Sequence, residues 1–238
     1  MKPVYGAAGR IGLVVPANNS VIEPELWSAL PAGCAVYATR LLAKGDLTPE
    51  AIHRMERDAD GAVAALAATG VDVIAYCDMV TTFIMEPGWN EDAVRRFGEA
   101  TATPCISAWT ALRDALARLG AKRLAIGTPY PASIHALVPS FFEARGFEVR
   151  SHATLDILAM REVPTVDAAR LSAFVSNLEI QGCDALVLLA TDLPTFGSIA
   201  ALERDLGLPL LTSNQTILWR ALSELKITGV RNLGRLFQ

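Results

Sequence analysis

The chain carries one fragment twice. Gly70-Val71-Asp72-Val73-Ile74-Ala75-Tyr76-Cys77-Asp78 leads to Thr82-Phe83, and Gly182-Cys183-Asp184-Ala185-Leu186-Val187-Leu188-Leu189-Ala190 leads to Thr195-Phe196. Each copy opens with Gly-x-Asp, runs through enough apolar residues for one buried strand, and then changes abruptly to small polar residues. Other fragments repeat in the same order. Arg10-Ile-Gly-Leu-Val-Val-Pro16 is echoed by Arg123-Leu-Ala-Ile-Gly-Thr-Pro129, and Pro104-Cys-Ile-Ser107 by Pro209-Leu-Leu-Thr212. Arg10 precedes Gly70 by 60 residues and Arg123 precedes Gly182 by 59. A repeat spaced this widely is too long for a solenoid unit of ~20–50 residues and indicates a duplicated domain.

Short β-branched runs alternate with amphipathic segments, the βαβ pattern of a parallel sheet. Strands are predicted at 11–15, 71–76, 104–107, 124–127, 147–149, 185–189 and 208–211. Helices are predicted at 49–68, 90–101, 110–119, 132–145, 166–181 and 215–225. The first helix is the best signalled, with Thr48 as its cap, Pro49 in its first turn and Gly70 beyond its end. The fold expected is α/β: two pseudo-twofold-related domains, each a parallel sheet flanked by helices, with the active site in the cleft between them. The first domain covers 1–116, with a C-terminal helical segment 214–238 packing back onto it, and the second covers 117–213.

Hydrophobic residues make up 52% of the 238, and charged residues 19%, enough apolar material for a core in each half and too little charge for disorder. So thin a polar surface suits a homo-oligomer. With a net charge of -4 and no Lys/Arg cluster, a surface that tracks nucleic-acid phosphates has no electrostatic basis. The longest apolar runs fall short of the ~20 residues of a membrane helix, and the N-terminus lacks a signal-peptide core, so a cytoplasmic location is expected. Cys34, Cys77, Cys105 and Cys183 show no metal-site spacing, and with three histidines in the chain no metal is expected. No Gly-x-Gly-x-x-Gly or Walker sequence follows a strand, so no nucleotide cofactor is suggested.

In parallel sheets ligands bind outside the carboxyl ends of the strands. The loops there are Pro16-Ala-Asn-Asn19-Ser20, Cys77-Asp78-Met79-Val80, Thr128-Pro-Tyr130, Ala190-Thr191-Asp192 and Thr212-Ser213-Asn214-Gln215. An Asn/Ser cluster is often only a turn and a helix cap. The Ser213-Asn214 helix start also reads as an anion site, because free backbone N–H groups and the helix dipole attract a carboxylate without Arg or Lys.

These fragments together resemble the aspartate/glutamate racemase superfamily, in its maleate cis-trans isomerase and arylmalonate decarboxylase branch. The pieces that carry the resemblance are Arg10 to Leu26, the Gly-Val-Asp-Val-Ile strand, Thr128-Pro-Tyr130, Thr191-Asp-Leu-Pro-Thr195, Thr212 to Trp219 and Gly234-Arg-Leu-Phe237. The resemblance implies cofactor-independent chemistry at the carbon next to a carboxylate of a small mono- or dicarboxylic acid. Such enzymes carry cysteines at the two symmetry-related strand ends. Here those positions fall on Asp78, or on Cys77 with a one-residue slip, and on Ala190. Ala190 cannot hold a proton, so two-base racemisation is disfavoured and a one-acid isomerisation or decarboxylation is expected. Cys77 is the family-like acid. Asp78 is the alternative, if an apolar lining raises its pKa. Asn19, Met79, Val80, Tyr130, Met160, Ala190, Thr191, Asp192, Ser213 and Asn214 are expected around the substrate. Met160 falls where the resemblance implies an amide in maleate isomerases and an apolar residue in the decarboxylases, which suggests one carboxylate plus an apolar group. The competing expectation is an inactive relative that binds a small carboxylate as a sensor or scaffold.

Overall fold

The computed structural model describes residues 3–43 and 45–238. Strands β1 (Gly9–Pro16), β2 (Cys34–Leu41), β3 (Val73–Tyr76) and β4 (Cys105–Ser107) form one sheet in the order β2-β1-β3-β4. Strands β5 (Arg123–Thr128), β6 (Glu148–Thr154), β7 (Ala185–Leu188) and β8 (Leu210–Thr212) form a second in the order β6-β5-β7-β8. All pairings are parallel. The chain thus builds the same four-stranded sheet twice, and β1/β3 and β5/β7 are equivalent switch points.

The repeated Gly-x-Asp has a structural cause. Gly70 and Gly182 take φ values of 72° and 75°, which let the chain reverse after a helix without a Cβ penalty. The aspartate then locks the strand start. Arg10 N–H donates to Asp72 Oδ2 at 2.8 Å, and Arg123 N–H to Asp184 Oδ2 at 2.8 Å. In return Asp72 N–H donates to Arg10 O and Asp184 N–H to Arg123 O. These reciprocal pairs set the β1/β3 and β5/β7 registers, and hence which residues emerge at the far ends.

The helices are α1 (Ile22–Ala29), α2 (Pro49–Glu56), α3 (Ala59–Ala68), α4 (Thr81–Ile84), α5 (Trp89–Thr101), α6 (Ala108–Leu119), α7 (Ala132–His135), α8 (Val138–Glu143), α9 (Ala168–Ser176), α10 (Phe196–Leu206) and α11 (Ser213–Glu224). Helices α1, α4 and α10 were not expected, and three of the expected segments are broken or shortened. The segment 49–68 breaks at Arg57–Asp58, so that α2 turns Ile52 and Met55 toward the cleft while α3 lies on β1 and β2. The segment 132–145 breaks before Pro139, which occupies the first turn of α8 because it has no N–H to continue α7. The segment 166–181 is helical only from Ala168, where Asp167 caps it by accepting from Arg170 N–H at 2.8 Å.

Helices α6 and α11 occupy equivalent places in the two halves, both start in a capping box (Ser107/Thr110 and Thr212/Gln215), and they pack on each other. α11 also touches β3, β4 and α1, so the last helix lies between the halves. No helix among the described residues is long and apolar enough to cross a membrane.

Gly127 on β5 is required by packing, not by its backbone. A Cβ there would sit 2.7 Å from Leu188 Cδ2 and 2.8 Å from Phe174 Cε1. Gly127→Ala is expected to cost about 1–3 kcal/mol of overpacking, read as a lower midpoint in urea unfolding.

Candidate functional site

The carboxyl ends of β1, β3, β5 and β7 converge on one cavity. It is lined by Pro16, Asn18, Asn19, Ala43, Leu47, Ile52, Met55, Asp78, Met79, Val80, Tyr130, Ile157, Met160, Val163, Ala190, Thr191 and Asp192. Each of the four strand-end loops supplies at least one polar residue, and the remaining wall is apolar. Among the described residues, no lysine, arginine or histidine lines it. The cavity is tight, about 30 Å³, on a scale where one water takes ~10–15 Å³. A latch made of one short segment from each half stands at its side, with Leu47 and Met160 forming part of the wall. Leu47 N–H donates to Leu158 O at 3.0 Å, Met160 N–H donates to Gly45 O at 3.4 Å, and Asp46 pairs with Ala159 as an antiparallel bridge.

Asp78 is buried at this junction. Its Oδ1 accepts from Thr81 N–H at 2.7 Å. Burial pushes its carboxyl up to about 6, against the donors at Thr81 and Val80. Asp192, on the opposite half, is raised to about 7, first by burial and further by the charge of Asp78. Its Oδ2 has one long contact, 3.5 Å from Asn18 Nδ2. The Tyr130 hydroxyl and Asn18 Oδ1 are buried and have no hydrogen-bond partner. Burial, then Asp78 and Asp192, hold Tyr130 protonated well above its ordinary range. Its O–H is therefore a donor awaiting an acceptor in the cavity.

Three residues expected at the substrate do not line the cavity. Cys77 is fully enclosed, with its Sγ 3.3 Å from Ala75 O, and burial followed by the charge of Asp78 drives the thiol well above its ordinary value. The strand-end backbone turns Asp78, not its neighbour, to the cleft. Ser213 and Asn214 stand one layer behind. Ser213 Oγ accepts from Ala190 N–H at 3.1 Å, and Asn214 Nδ2 donates to Thr191 O at 2.9 Å and to Glu25 Oε2 at 2.7 Å. The first turn of α11 is used for holding the Ala190–Asp192 loop, with Thr212 as its cap.

Asn19, Met79, Val80, Tyr130, Met160, Ala190, Thr191 and Asp192 all reach the cavity wall. Asn19 and Thr191 spend their polar groups on each other. Asn19 Nδ2 donates to Thr191 Oγ1 at 3.1 Å, and that hydroxyl donates to Cys77 O at 2.8 Å. Asn19 Oδ1 caps α1 by accepting from Val21 and Ile22 N–H. Arg40 backs the loop, donating to Asn19 O at 2.6 Å, and pairs with Glu23.

The sequence reading missed Asn18, Glu25 and the α2 wall. Glu25 on α1 accepts from Thr195 and Phe196 N–H at 2.5 and 2.8 Å, capping α10 of the other half. Its burial raises its pKa, opposed by Asn214 and these amides. A glutamate at mid-helix gives no sign of this. Ile52 and Met55 lie in the helix expected over 49–68, which was given no part in the site.

Two parallel α/β units related by a pseudo-twofold axis, with polar strand-end loops facing across an enclosed cavity, define a duplicated-domain protein with its site at the axis. The chain belongs to the arylmalonate decarboxylase family, whose profile matches residues 11–237. A maleate isomerase of Geobacillus stearothermophilus is 30% identical over 95% of this chain and 96% of its own. An arylmalonate decarboxylase of Bordetella bronchiseptica is 24% identical over 89% and 88%. A Nocardia farcinica maleate cis-trans isomerase, a cysteine-to-serine mutant with a covalently bound succinylcysteine intermediate, superposes with a TM-score of 0.91 at 28% identity, over 96% of this chain and 98% of that one.

The raised carboxyls tie stability to pH. A carboxyl at about 6 in the fold and ~3.9 unfolded contributes fully below pH ~4 and loses that contribution as pH rises through 6. Asp192 acts in the same sense, as does Glu56, raised to about 7 by burial while accepting from the Tyr76 hydroxyl. Urea midpoints are expected to fall from pH 4 to pH 8. Asp78→Asn should flatten this slope and exceed the parent at pH 8 by roughly 3 kcal/mol.

Proposed function

We propose that the chain is an enzyme acting at the carbon next to a carboxylate of a small carboxylic acid, as a decarboxylase or isomerase, by proton transfer from Asp78. The observation that supports this most is a buried carboxyl with an elevated pKa in a cavity that no thiol lines. The succinylcysteine of the Nocardia enzyme needs a sulfur nucleophile at the substrate. Here Asp78 and Ala190 stand at the two strand ends and Cys77 faces the core, which favours proton chemistry over thiol addition.

Decarboxylation of a 2-substituted malonate is the reading favoured by the wall. One carboxylate of the substrate accepts from the Tyr130 hydroxyl. The other meets Met55, Met79, Ile157 and Met160 and loses its hydration there. The bond between that carboxyl and the α-carbon breaks, carbon dioxide leaves, and the electron pair moves into the remaining carboxylate as an enediolate, which Tyr130 stabilises. The Asp78 carboxyl then gives its proton to the α-carbon, and water restores it. The substrate substituent packs against Ala43, Leu47, Ile52 and Val163. The unpaired thiols support a reducing compartment such as the cytoplasm.

Proton NMR in deuterated water tests this against aryl- and alkylmalonates and maleate. The expected result is carbon dioxide loss with one deuterium at the α-carbon. Turnover of maleate alone to fumarate would select isomerisation, and thermal stabilisation by these acids with unchanged spectra would select a carboxylate binder. Asp78→Asn is expected to lower kcat by about 10²–10⁴, and Cys77→Ser to leave it within a few fold. Because the acid must be protonated in the free enzyme, kcat/KM should fall about tenfold per pH unit above 6.

A further inference from the structure

The second half ends its central strand in Ala190, which carries no proton, yet an acid from that half still reaches the cavity two residues later. Ala190 takes a φ of 97°, a left-handed backbone that a residue with a Cβ adopts at a cost, whereas Asp78 at the matching strand end does not. The bend is over-determined. Ser213 Oγ holds Ala190 N–H, Asn214 holds Thr191 O, and Thr191 Oγ1 is held between Asn19 and Cys77 O. Strain maintained by so many partners at a cleft marks a functional conformation. Beyond the bend Asp192 shares the cavity wall with Asp78, close enough for the two charges to interact, and the charges of both act on the Tyr130 hydroxyl.

We propose that Asp192 is a second proton donor to the same α-carbon, acting from the flank opposite Asp78. This rests on the acid-base reading above and adds to it a stereochemical property. Once the enediolate exists it has two faces. Asp78 delivers a proton to one face and Asp192 to the other; in each case the enediolate electron pair forms the new C–H bond, the aspartate is left ionised, and water reprotonates it. Asp192 is suited to this because, among the described residues, its carboxyl has only the long Asn18 contact, and because burial and the Asp78 charge raise its pKa to about 7. The product of a prochiral malonate should therefore contain both enantiomers.

The test is chiral chromatography of the monocarboxylate formed from a 2-aryl-2-methylmalonate. The parent is expected to give one enantiomer in large excess with a trace of its mirror image, Asp192→Asn the same enantiomer without the trace, and Asp78→Asn, at its about 10²–10⁴-fold lower rate, the opposite enantiomer. A single enantiomer from the parent, or an Asp192→Asn product of parental composition, overturns the proposal. A residue that merely supported the loop would change rate without changing handedness. If no malonate turns over, the decarboxylase reading fails, and Asp192 is judged separately by carbon-13 titration of its side chain. A midpoint near 7 that moves up when 2-phenylpropionate is added supports a poised acid, and a midpoint at the ordinary aspartate value overturns it.

Discussion

The Thr191 hydroxyl is the hinge pin of this molecule. It accepts from Asn19 of one strand-end loop and donates to the carbonyl of Cys77 in another, so a single side chain of the second half fixes two loops of the first. Buried and hydrogen-bonded at both ends, it has no water to fall back on, and loss of either partner would leave a polar group unsatisfied. Asn214 and Glu25 continue the network into α11 and the start of α10. Through these contacts, the placement of Asp78, of Asp192 and of the Tyr130 hydroxyl becomes a property of both halves together.

Duplication supplied the frame and divergence supplied the chemistry. The aspartates that lock the strand starts remain in both copies, as do the capping boxes that open α6 and α11. At the other end of the same strands the copies part. One presents a carboxyl directly. The other presents a methyl group on a strained backbone and brings its carboxyl from further along the loop. That strain, of order 1–3 kcal/mol, and the buried carboxyls both lower the stability of the fold at neutral pH. Their persistence at one spot marks where packing has yielded to function.

The parallel strands and the repeat were legible because Gly-x-Asp lead-ins and buried apolar runs are local signals. The edge strand Cys34–Leu41 was not: it is only partly buried, and Thr39 and Arg40 blur its pattern. Helix α1 escaped because Val21 stands where a capping residue would announce it, the cap coming instead from Asn19. Which of Cys77 and Asp78 faces the cavity could not be read from sequence, since strands covered on both faces show no alternation to reveal which neighbour points outward. Asp192 read as one substrate contact among ten, and the bend before it was not legible because a left-handed φ is expected of glycine or asparagine, not of the alanine at position 190.

The latch beside the cavity is made of peptide groups: Leu47 to Leu158, Met160 to Gly45, and the pairing of Asp46 with Ala159. Backbone contacts of this kind are indifferent to the side chains that carry them. The side chains of Leu47 and Met160, which line the cavity, can therefore be exchanged without unmaking these bonds. Natural drift or directed evolution can thus re-tailor which molecules fit while the join between the halves keeps its bonds.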